Sequence, residues 1–249
     1  LSHQFCMVHF PLLLNDSWCE SVASLLRGMT LTPYGATTGS SEFAPIPKLG
    51  PALFEFHDDL GALGDAGLTA YFDQASADDA LLRKAFAAAN IPDPLDVIHH
   101  IGKLVLGSEI DVATEGNRRY FSGVVRDINA GAIPHHDDAS FDTPTLRVGR
   151  TDRQLSILLY MSKFTGGELT SYNVRPSTAP QGLEPLGYGY RWESVEDIAR
   201  ETVRPDKGSV VLFNPRFVHS VAPVRASERR LTVSAFVGRM HEGGLISWS

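Results

Sequence analysis

The segment Pro134-His135-His136-Asp137-Asp138 brings together side chains that can bind a metal ion. On a β-strand, side chains two residues apart point to the same face, so an H-x-D pattern can present both groups to one metal. The segment contains two such pairs, His135 with Asp137 and His136 with Asp138. A second histidine from a distant strand would complete two imidazoles and one carboxylate, a set that leaves positions open on iron(II). Taken alone, the segment also fits a polar turn after Pro134.

The last third of the chain holds a candidate for that second histidine, His219, inside a longer pattern. The pattern consists of short motifs in one order along the chain. They are His135 with Asp137, a strand over 154–161, the turn Gly166-Gly167-Glu168-Leu169, the apolar strand 208–213, His219, and Arg230. In type and order these motifs resemble the 2-oxoglutarate- and iron(II)-dependent oxygenase superfamily, in particular its prolyl-hydroxylase-like branch. The resemblance covers roughly residues 115–240.

The resemblance implies that His135, Asp137 and His219 hold iron(II), and that 2-oxoglutarate and dioxygen are the cosubstrates. Within the doubled motif, the family's His-x-Asp-Asn-Ala pattern aligns best with His135-His136-Asp137-Asp138-Ala139. This alignment favours His135 and Asp137 as the ligands. The other register, His136 with Asp138, stays open at the level of sequence.

The resemblance also implies a cation for the distal carboxylate of 2-oxoglutarate, and two adjacent arginines compete for this role. A guanidinium can hold a carboxylate through two parallel hydrogen bonds. Arg229 shares its strand face with the apolar Leu231, whereas Arg230 shares its face with Thr232. Because the family frequently has an arginine followed two residues later by serine or threonine, Arg230 with Thr232 is the predicted pair. A surface arginine is the alternative for Arg230.

Two further side chains are predicted at the cofactor-binding site. Tyr160 lies on the polar face of its predicted strand, where the family often has a tyrosine that hydrogen-bonds the cosubstrate carboxylate. A core tyrosine with a satisfied hydroxyl is the alternative. Arg126 lies on the strand before the metal motif and is a candidate to contact cosubstrate or substrate, with a surface position as its alternative.

The reaction implied by the resemblance is hydroxylation of an unactivated C–H bond, with decarboxylation of 2-oxoglutarate to succinate. The expected substrate is a small molecule, such as an amino acid or a natural-product intermediate, and a peptide or protein is the alternative. Asp137 favours hydroxylation over halogenation, because related halogenases have a small residue at that position. A non-catalytic cupin-like metal- or ligand-binding module and a zinc hydrolase are the readings from other classes. Neither of them has a need for Arg230 beside the metal ligands.

The chain of 249 residues suits one structural domain with two parts. Residues 1–107 are predicted to form a mainly helical support region. Its helices are expected to begin at Asn15 or Asp16, near Ser76, and at Pro94. Residues 108–249 are predicted to form the catalytic core, with an insertion at 174–207 that holds a short helical stretch near Ser194–Arg200.

Strand-like runs dominate the predicted core. They lie at 109–114, 119–129, 154–162, 168–173, 209–213 and 230–238, with turn-forming residues between them. The runs 154–162 and 230–238 each alternate between an apolar face and a mixed polar face, which faces either solvent or a cavity. The pattern predicts an antiparallel sandwich or barrel. With the resemblance, the predicted fold class is α+β, a double-stranded β-helix (jelly-roll, cupin-like) core with N-terminal helices packed on one face.

Composition limits the partners. The formal net charge is -7 and no long Lys/Arg run occurs, so a nucleic-acid partner is not expected. The apolar stretch Phe10–Leu14 is too short to span a bilayer, and no membrane partner is expected. The two cysteines, Cys6 and Cys19, are too few for a secreted disulfide scaffold, so the predicted location is cytoplasmic. A homodimer is a generic expectation.

Overall fold

The computed structural model describes residues 7–34, 46–56, 64–176 and 182–249. The α-helices of these residues are α1 (Asp16–Arg27), α2 (Asp65–Ala89), α3 (Pro94–Leu106) and α4 (Ala139–Asp142). As predicted, α1 begins where the Asn15 side chain accepts a hydrogen bond from a backbone N–H of the first turn. The start of α3 is also as predicted, with Asp93 as its cap, and α3 ends at Gly107 in the left-handed conformation (φ 76°).

The predicted helix start near Ser76 is wrong. Helix α2 begins at Asp65 and runs through Ser76 without interruption. The capping signal there is overridden because Tyr71 and Ala75, before it, and Leu82, after it, are buried in the same core. A continuous apolar face stabilises the helix more than a second cap would.

The β-strands of the described residues form two larger sheets and two hairpins. In chain order they are β1 (Met7–Phe10), β2 (Thr32–Pro33), β3 (Pro47–Leu49), β4 (Ile110–Val112), β5 (Thr114–Glu115), β6 (Arg118–Arg119), β7 (Val124–Asp127), β8 (Ala132–His135), β9 (Thr151–Tyr160), β10 (Leu169–Tyr172), β11 (Pro185–Leu186), β12 (Gly189–Tyr190), β13 (Arg200–Val203), β14 (Val210–Phe213), β15 (His219–Val221), β16 (Leu231–Met240) and β17 (Leu245–Trp248).

The larger sheet has the strand order β1-β14-β9-β16-β7-β3-β2, and β17 extends it from β16 to β4. Its pairings are antiparallel except for β17 with β4. The smaller sheet has the order β13-β10-β15-β8 and is antiparallel throughout. The protein is therefore a mixed helix-and-sheet fold built on a large antiparallel sheet, which confirms the predicted fold class at this level.

Alternation along β9 and β16 separates two environments. The apolar faces of both strands belong to one buried cluster with residues of α1, α2 and α3. Its members from the two strands are Leu155, Ile157, Leu159, Leu231, Val233, Ala235, Val237 and Met240. The mixed faces line a cavity of about 310 Å³, with Ser156 from β9 and Thr232 and Ser234 from β16. The polar residues on these strands thus mark an internal cavity rather than solvent-facing surface.

The structure departs from the sequence expectation in two further places. The region 1–107 contributes strands β1, β2 and β3 to the larger sheet, as well as helices. In the insertion, the predicted helical stretch near Ser194–Arg200 is wrong, because the chain leaves a 3-10 turn (Trp192–Ser194), passes through turns at 195–197 and enters strand β13 at Arg200. Pairing of β13 with β10 stabilises the extended form.

Among the described helices, none has the length and apolar character needed to cross a membrane.

Candidate metal and cosubstrate site

The smaller sheet brings the three predicted metal ligands together. His135 ends β8 and His219 begins β15, and the two residues are directly paired across these strands. Asp137 follows β8, and its backbone N–H donates to the carbonyl of Pro215 (2.9 Å), which anchors it beside the segment that leads to His219. Donor atoms of His135, Asp137 and His219 lie within 4.8 Å of one another. Two imidazoles and one carboxylate therefore converge on one point, although His219 is distant from the others in sequence.

Backbone carbonyls orient both imidazole rings. The carbonyl of Ile133 accepts a hydrogen bond from His135 Nδ1 (2.7 Å), and the carbonyl of Phe217 accepts one from His219 Nδ1 (3.0 Å). Because a carbonyl can only accept, each Nδ1 carries the hydrogen, and each Nε2 keeps its lone pair for a metal. The His219 Nε2 atom lies 3.4 Å from Asp137 Oδ2.

The protonation states of these side chains also suit a metal. Burial, and next the neighbouring His219, lowers the pKa of His135 to about 4, so its imidazole is neutral near pH 7. Burial alone would raise the pKa of Asp137. The adjacent His219 and His135 and the Arg126 guanidinium outweigh burial and hold that pKa well below its usual range. A neutral imidazole and an ionised carboxylate are the forms that bind a metal.

The alternative register, His136 with Asp138, has other partners in the structure. The carboxylate of Asp138 caps α4 through the Ser140 N–H (3.1 Å) and forms a buried ion pair with Arg216 (3.0 Å). His136 Nδ1 is hydrogen-bonded to the Tyr190 hydroxyl (3.1 Å). The structure thus groups His135 and Asp137 with His219, and turns Asp138 to a structural position that ties the two ligand-bearing segments together.

Arg230 lies in the same cavity and is completely buried. Its Nη2 donates to the hydroxyl of Tyr160 (3.0 Å) and its Nε donates to the carbonyl of Gly167 (3.2 Å). The rings of Tyr160 and Phe164 lie against the guanidinium, with centroids 5.0 and 5.9 Å from its central carbon. Its Nη1 is buried without a hydrogen-bond partner among the described residues. A buried cation with an unpaired donor is costly, and an anion beside it removes that cost.

The structure places the two adjacent arginines, Arg229 and Arg230, in different environments. Arg229 turns away from the cavity and its Nε donates to Asp127 (2.6 Å), with the arginine side chain 40% exposed. Thr232, two residues after Arg230, lines the cavity and its hydroxyl lies 3.4 Å from the backbone carbonyl of Arg126. The alternation of the strand therefore places Arg230 and Thr232 on the cavity side, where the sequence predicted them.

Arg126 reaches the cavity from β7, next to β16. Its Nε donates to the hydroxyl oxygen of Tyr34, and its Nη1 donates to the hydroxyl of Ser234 (2.8 Å). Near it, Lys48 and Glu55 form a buried ion pair (2.9 Å). Arg126 is therefore a cavity residue rather than a surface residue.

Sequence reasoning missed two tyrosines of the cavity wall. Tyr34 comes from the Gly-, Pro- and Ser-rich segment after β2, and Tyr188 comes from the insertion. The Tyr188 hydroxyl accepts a hydrogen bond from the Ile133 N–H (3.2 Å), and its ring lies edge-on to that of His135 (centroids 5.5 Å apart). Neither residue belongs to a periodic element, so no local signal in the sequence indicated its position.

Two features of the cavity indicate which groups it can bind: the metal-binding side chains and the unpaired guanidinium of Arg230. Two imidazole nitrogens and one carboxylate oxygen suit iron(II) with open positions. The unpaired Nη1 of Arg230 suits one end of a dicarboxylic acid whose other end binds the metal. The residues present therefore fit both iron(II) and 2-oxoglutarate.

Comparison with known proteins gives a consistent result. Residues 123–238 match the family described as the 2OG-Fe(II) oxygenase superfamily. The chain is 29% identical over 211 residues to an L-gamma-glutamyl-L-propargylglycine hydroxylase of Streptantibioticus cattleyicolor, covering 82% of this chain and 75% of that protein. It is 27% identical over 227 residues to the leucinostatins biosynthesis cluster protein S of Purpureocillium lilacinum, covering 85% and 88%.

A solved structure shows the same fold. An N-substituted L-amino acid dioxygenase from Burkholderia ambifaria, in complex with alpha-KG, superimposes with a TM-score of 0.52. Its sequence identity is 16%, and the match covers 92% of this chain and 91% of that one.

Proposed function

We propose that this chain, which belongs to the 2OG-Fe(II) oxygenase superfamily, hydroxylates an unactivated C–H bond of a small molecule. The predicted family is confirmed by the family match, and with it the use of iron(II), 2-oxoglutarate and dioxygen. When bound, iron and 2-oxoglutarate would activate dioxygen, so that one of its oxygen atoms enters the C–H bond and the other converts 2-oxoglutarate to succinate and carbon dioxide. The chain's own residues bind, orient and enclose these groups.

One observation carries the proposal: three metal-binding side chains and an unpaired, buried guanidinium share one cavity. In our proposal His135, Asp137 and His219 hold the iron through His135 Nε2, a carboxylate oxygen of Asp137, and His219 Nε2. The carboxylate of Asp137 fills a metal position that a halide would need, which favours hydroxylation. A binding module would not need a second, anion-binding group beside an incompletely filled metal.

For the cosubstrate, we assign the distal carboxylate of 2-oxoglutarate to Arg230. Its Nη1 has no partner among the described residues, and Tyr160 fixes the orientation of its Nη2. Burial raises the pKa of Tyr160, so the phenol keeps its hydrogen. Since its oxygen accepts from Arg230, that hydrogen is available to donate to the same carboxylate. Thr232 lies two residues along the cavity face and offers a further hydroxyl.

The finer description of the fold is part of the same proposal. The two sheets would be the two walls of a double-stranded β-helix, with the metal ligands on the smaller sheet and Arg230 on the larger one. The helices of region 1–107 would support the larger sheet, since α3 contacts β9 and β16. The described part of the insertion after residue 181 would cover the site, with Tyr188 beside His135.

The names of two similar proteins guide the choice of substrate. One relative is a hydroxylase of a γ-glutamyl amino acid, and one similar structure is a dioxygenase of N-substituted L-amino acids. We therefore favour an amino acid or an amino-acid-derived natural-product intermediate over a peptide or protein. A cytoplasmic location and a homodimer stay predictions.

Oxygen-dependent succinate formation tests the proposal. Purified protein with iron(II) and 2-oxoglutarate should release succinate slowly without substrate, and Asp137→Ala should reduce the rate by at least about a thousand-fold because the metal loses its one carboxylate side-chain ligand. Asp73→Ala, which removes an exposed carboxylate on α2, is the matched control and should keep the wild-type rate. Succinate formation that survives Asp137→Ala, or that never occurs in folded wild-type protein, would overturn the assignment.

A further inference from the structure

Two arginines, Arg126 and Arg230, line the catalytic cavity among the described residues. The cosubstrate has one distal carboxylate, and Arg230 is the residue with an unpaired buried donor to receive it. Arg126 and the metal ligand Asp137 also line an adjoining smaller cavity together, and Arg230 does not belong to its lining. A second cation in the cavity therefore needs an explanation of its own.

The guanidinium of Arg126 is held in a fixed orientation. Its Nε donates to Tyr34 and its Nη1 donates to Ser234 (2.8 Å). Its Nη2 makes no hydrogen bond with a described residue. Because the Tyr34 oxygen accepts from Arg126, the Tyr34 hydroxyl hydrogen is left to donate elsewhere. The two groups together present an N–H and an O–H donor to the cavity.

The carboxylates whose charges act on Arg126, those of Asp137 and Glu55, are each close to another cation. Lys48 and Glu55 compensate each other in a buried ion pair (2.9 Å). Under the proposed function, divalent iron, the dianionic cosubstrate, Asp137 and Arg230 sum to neutrality. Asp142 also lines the cavity, and burial raises the pKa of its carboxyl to about 7, so at neutral pH it offsets the charge of Arg126 only in part. Arg126 is then the remaining cation of this group, and a partly buried cation is stabilised by an anion that enters with a ligand.

The cavity wall next to Arg126 indicates what the rest of that ligand is like. Phe54 and Tyr34 form an aromatic pair with centroids 5.1 Å apart, and Phe236 also lines the cavity. The volume of about 310 Å³ must hold the cosubstrate as well, so the ligand is small. A carboxylate next to a compact apolar group fits this combination of donors and aromatic surface.

We infer that the substrate carries a carboxylate and that Arg126, together with the Tyr34 hydroxyl, binds it. This inference rests on the proposed function, because it takes the cavity as the place where the C–H bond is hydroxylated. It assigns Arg126 to substrate recognition rather than to the cosubstrate. The substrate class is a free carboxylic acid, such as an amino acid or N-acyl amino acid with an unblocked carboxyl group.

Matched pairs of acids and carboxamides test this inference. The probes are the common L-amino acids and their N-acetyl derivatives, each paired with its carboxamide. Two quantities are measured on the iron(II)- and 2-oxoglutarate-loaded protein: stimulation of succinate formation in air, and the dissociation constant by anaerobic calorimetry. At least one acid should stimulate turnover and bind about ten- to a hundred-fold tighter than its amide, as expected for charge-assisted hydrogen bonds.

Variants of Arg126 test whether this residue is responsible for the preference for the acid over its carboxamide. Arg126→Gln should bring the affinity for the acid down to that for the amide, with the KM for 2-oxoglutarate unchanged within about two-fold. The affinity of Arg126→Lys for the acid should lie between those of wild type and Arg126→Gln, because lysine keeps the charge but loses the planar fork. Tyr34→Phe should weaken acid binding by several-fold, and it provides an independent test if Arg126→Gln does not fold. Arg204→Gln, at an arginine with 85% side-chain exposure, is the control.

Each other outcome contradicts the inference. If no acid exceeds its amide in binding or stimulation, the substrate does not need a carboxylate at Arg126. If Arg126→Gln raises the KM for 2-oxoglutarate by about ten-fold or more and leaves the acid-to-amide ratio unchanged, Arg126 is a cosubstrate residue. Failure of the proposed function would look different, since wild-type protein would then form no succinate with any probe or without one.

Discussion

Arg230 and Arg126 enter one cavity from the neighbouring strands β16 and β7, but their surroundings differ. Arg230 is completely buried between two aromatic rings and is held by a hydroxyl and a backbone carbonyl. Arg126 is partly exposed and is held by two hydroxyl groups. The closed end of the cavity, at Arg230, suits the distal carboxylate of 2-oxoglutarate, which is unchanged in succinate. The open end, at Arg126, leaves room for the rest of a substrate.

Arg230, at the closed end of the cavity, should contribute most of the affinity for 2-oxoglutarate. Arg230→Gln removes the only cation assigned to its distal carboxylate, so we expect the KM for 2-oxoglutarate to rise by about a hundred-fold or more. The same substitution at Arg126 should leave this KM nearly unchanged. Steady-state succinate formation at varied 2-oxoglutarate measures both. If Arg126→Gln raised the KM for 2-oxoglutarate as much as Arg230→Gln, the two arginines would not have different roles in binding it.

Gly167 makes the close approach at this end possible. Its φ is +66°, its carbonyl accepts from Arg230, and a Cβ at this position would lie 2.9 Å from Arg230 Cδ. Gly167→Ala should therefore lower the free energy of unfolding by about 1–2 kcal/mol and raise the KM for 2-oxoglutarate by about ten-fold. Denaturant unfolding and steady-state kinetics measure the two effects.

Gly116→Ala separates backbone strain from displacement of Arg230. Gly116 has a similar φ of +61°, but a Cβ there meets nothing within 4 Å. It should lose comparable stability and keep the wild-type KM for 2-oxoglutarate. A normal KM in Gly167→Ala as well would show that the close packing of Arg230 is unimportant for binding.

The residues at the closed end, around Arg230, could be predicted from the sequence better than the residues at the open end, around Arg126. Arg230, Thr232 and Tyr160 lie on or directly beside strands whose two-residue alternation is a local property, so their common face could be predicted without knowing the fold. That this face lines a cavity was implied only by the family resemblance. Tyr34 and Tyr188 lie outside such strands, and their positions depend on how distant segments pack. The choice of Asp137 over Asp138 as the residue beside His219 likewise depends on the tertiary contact of Asp138 with Arg216.

A smaller effect is expected from the tyrosine that orients Arg230. Tyr160→Phe removes the hydroxyl that accepts from Arg230 Nη2 and leaves that nitrogen buried without a partner. The KM for 2-oxoglutarate should rise by several-fold, since one hydrogen bond is lost while the cation stays. Tyr190→Phe, which removes a hydroxyl bonded to His136 instead, should leave this KM unchanged. An effect of Tyr190→Phe as large as that of Tyr160→Phe would contradict the assignment.

The smallest effect concerns Asp142, the last residue of α4, which lines the cavity. Burial, and next the charge of Asp137, raises the pKa of this carboxyl to about 7. A folded-state pKa above the unfolded value favours the protonated native protein, so stability is lost as pH rises from about 4 towards 7. In metal-free protein, Asp142→Asn should remove this loss and gain at most about 1–2 kcal/mol at pH 8 relative to wild type, because solvent screens the group.

Denaturant unfolding at pH 5 and pH 8 measures this difference. Asp73→Asn, at an exposed carboxyl on α2, should follow the wild-type pH profile. A stability difference between wild type and Asp142→Asn that is the same at both pH values would contradict the raised pKa.

The most direct test of the account is an anaerobic titration of iron(II) into the protein with 2-oxoglutarate, followed by the visible metal-to-ligand charge-transfer band. We predict that the band forms in wild type, is absent in His219→Ala, and in Arg230→Gln appears only at much higher 2-oxoglutarate. A folded wild-type protein that gives no band, or a His219→Ala variant that gives the wild-type band, would contradict the proposed iron and cosubstrate site.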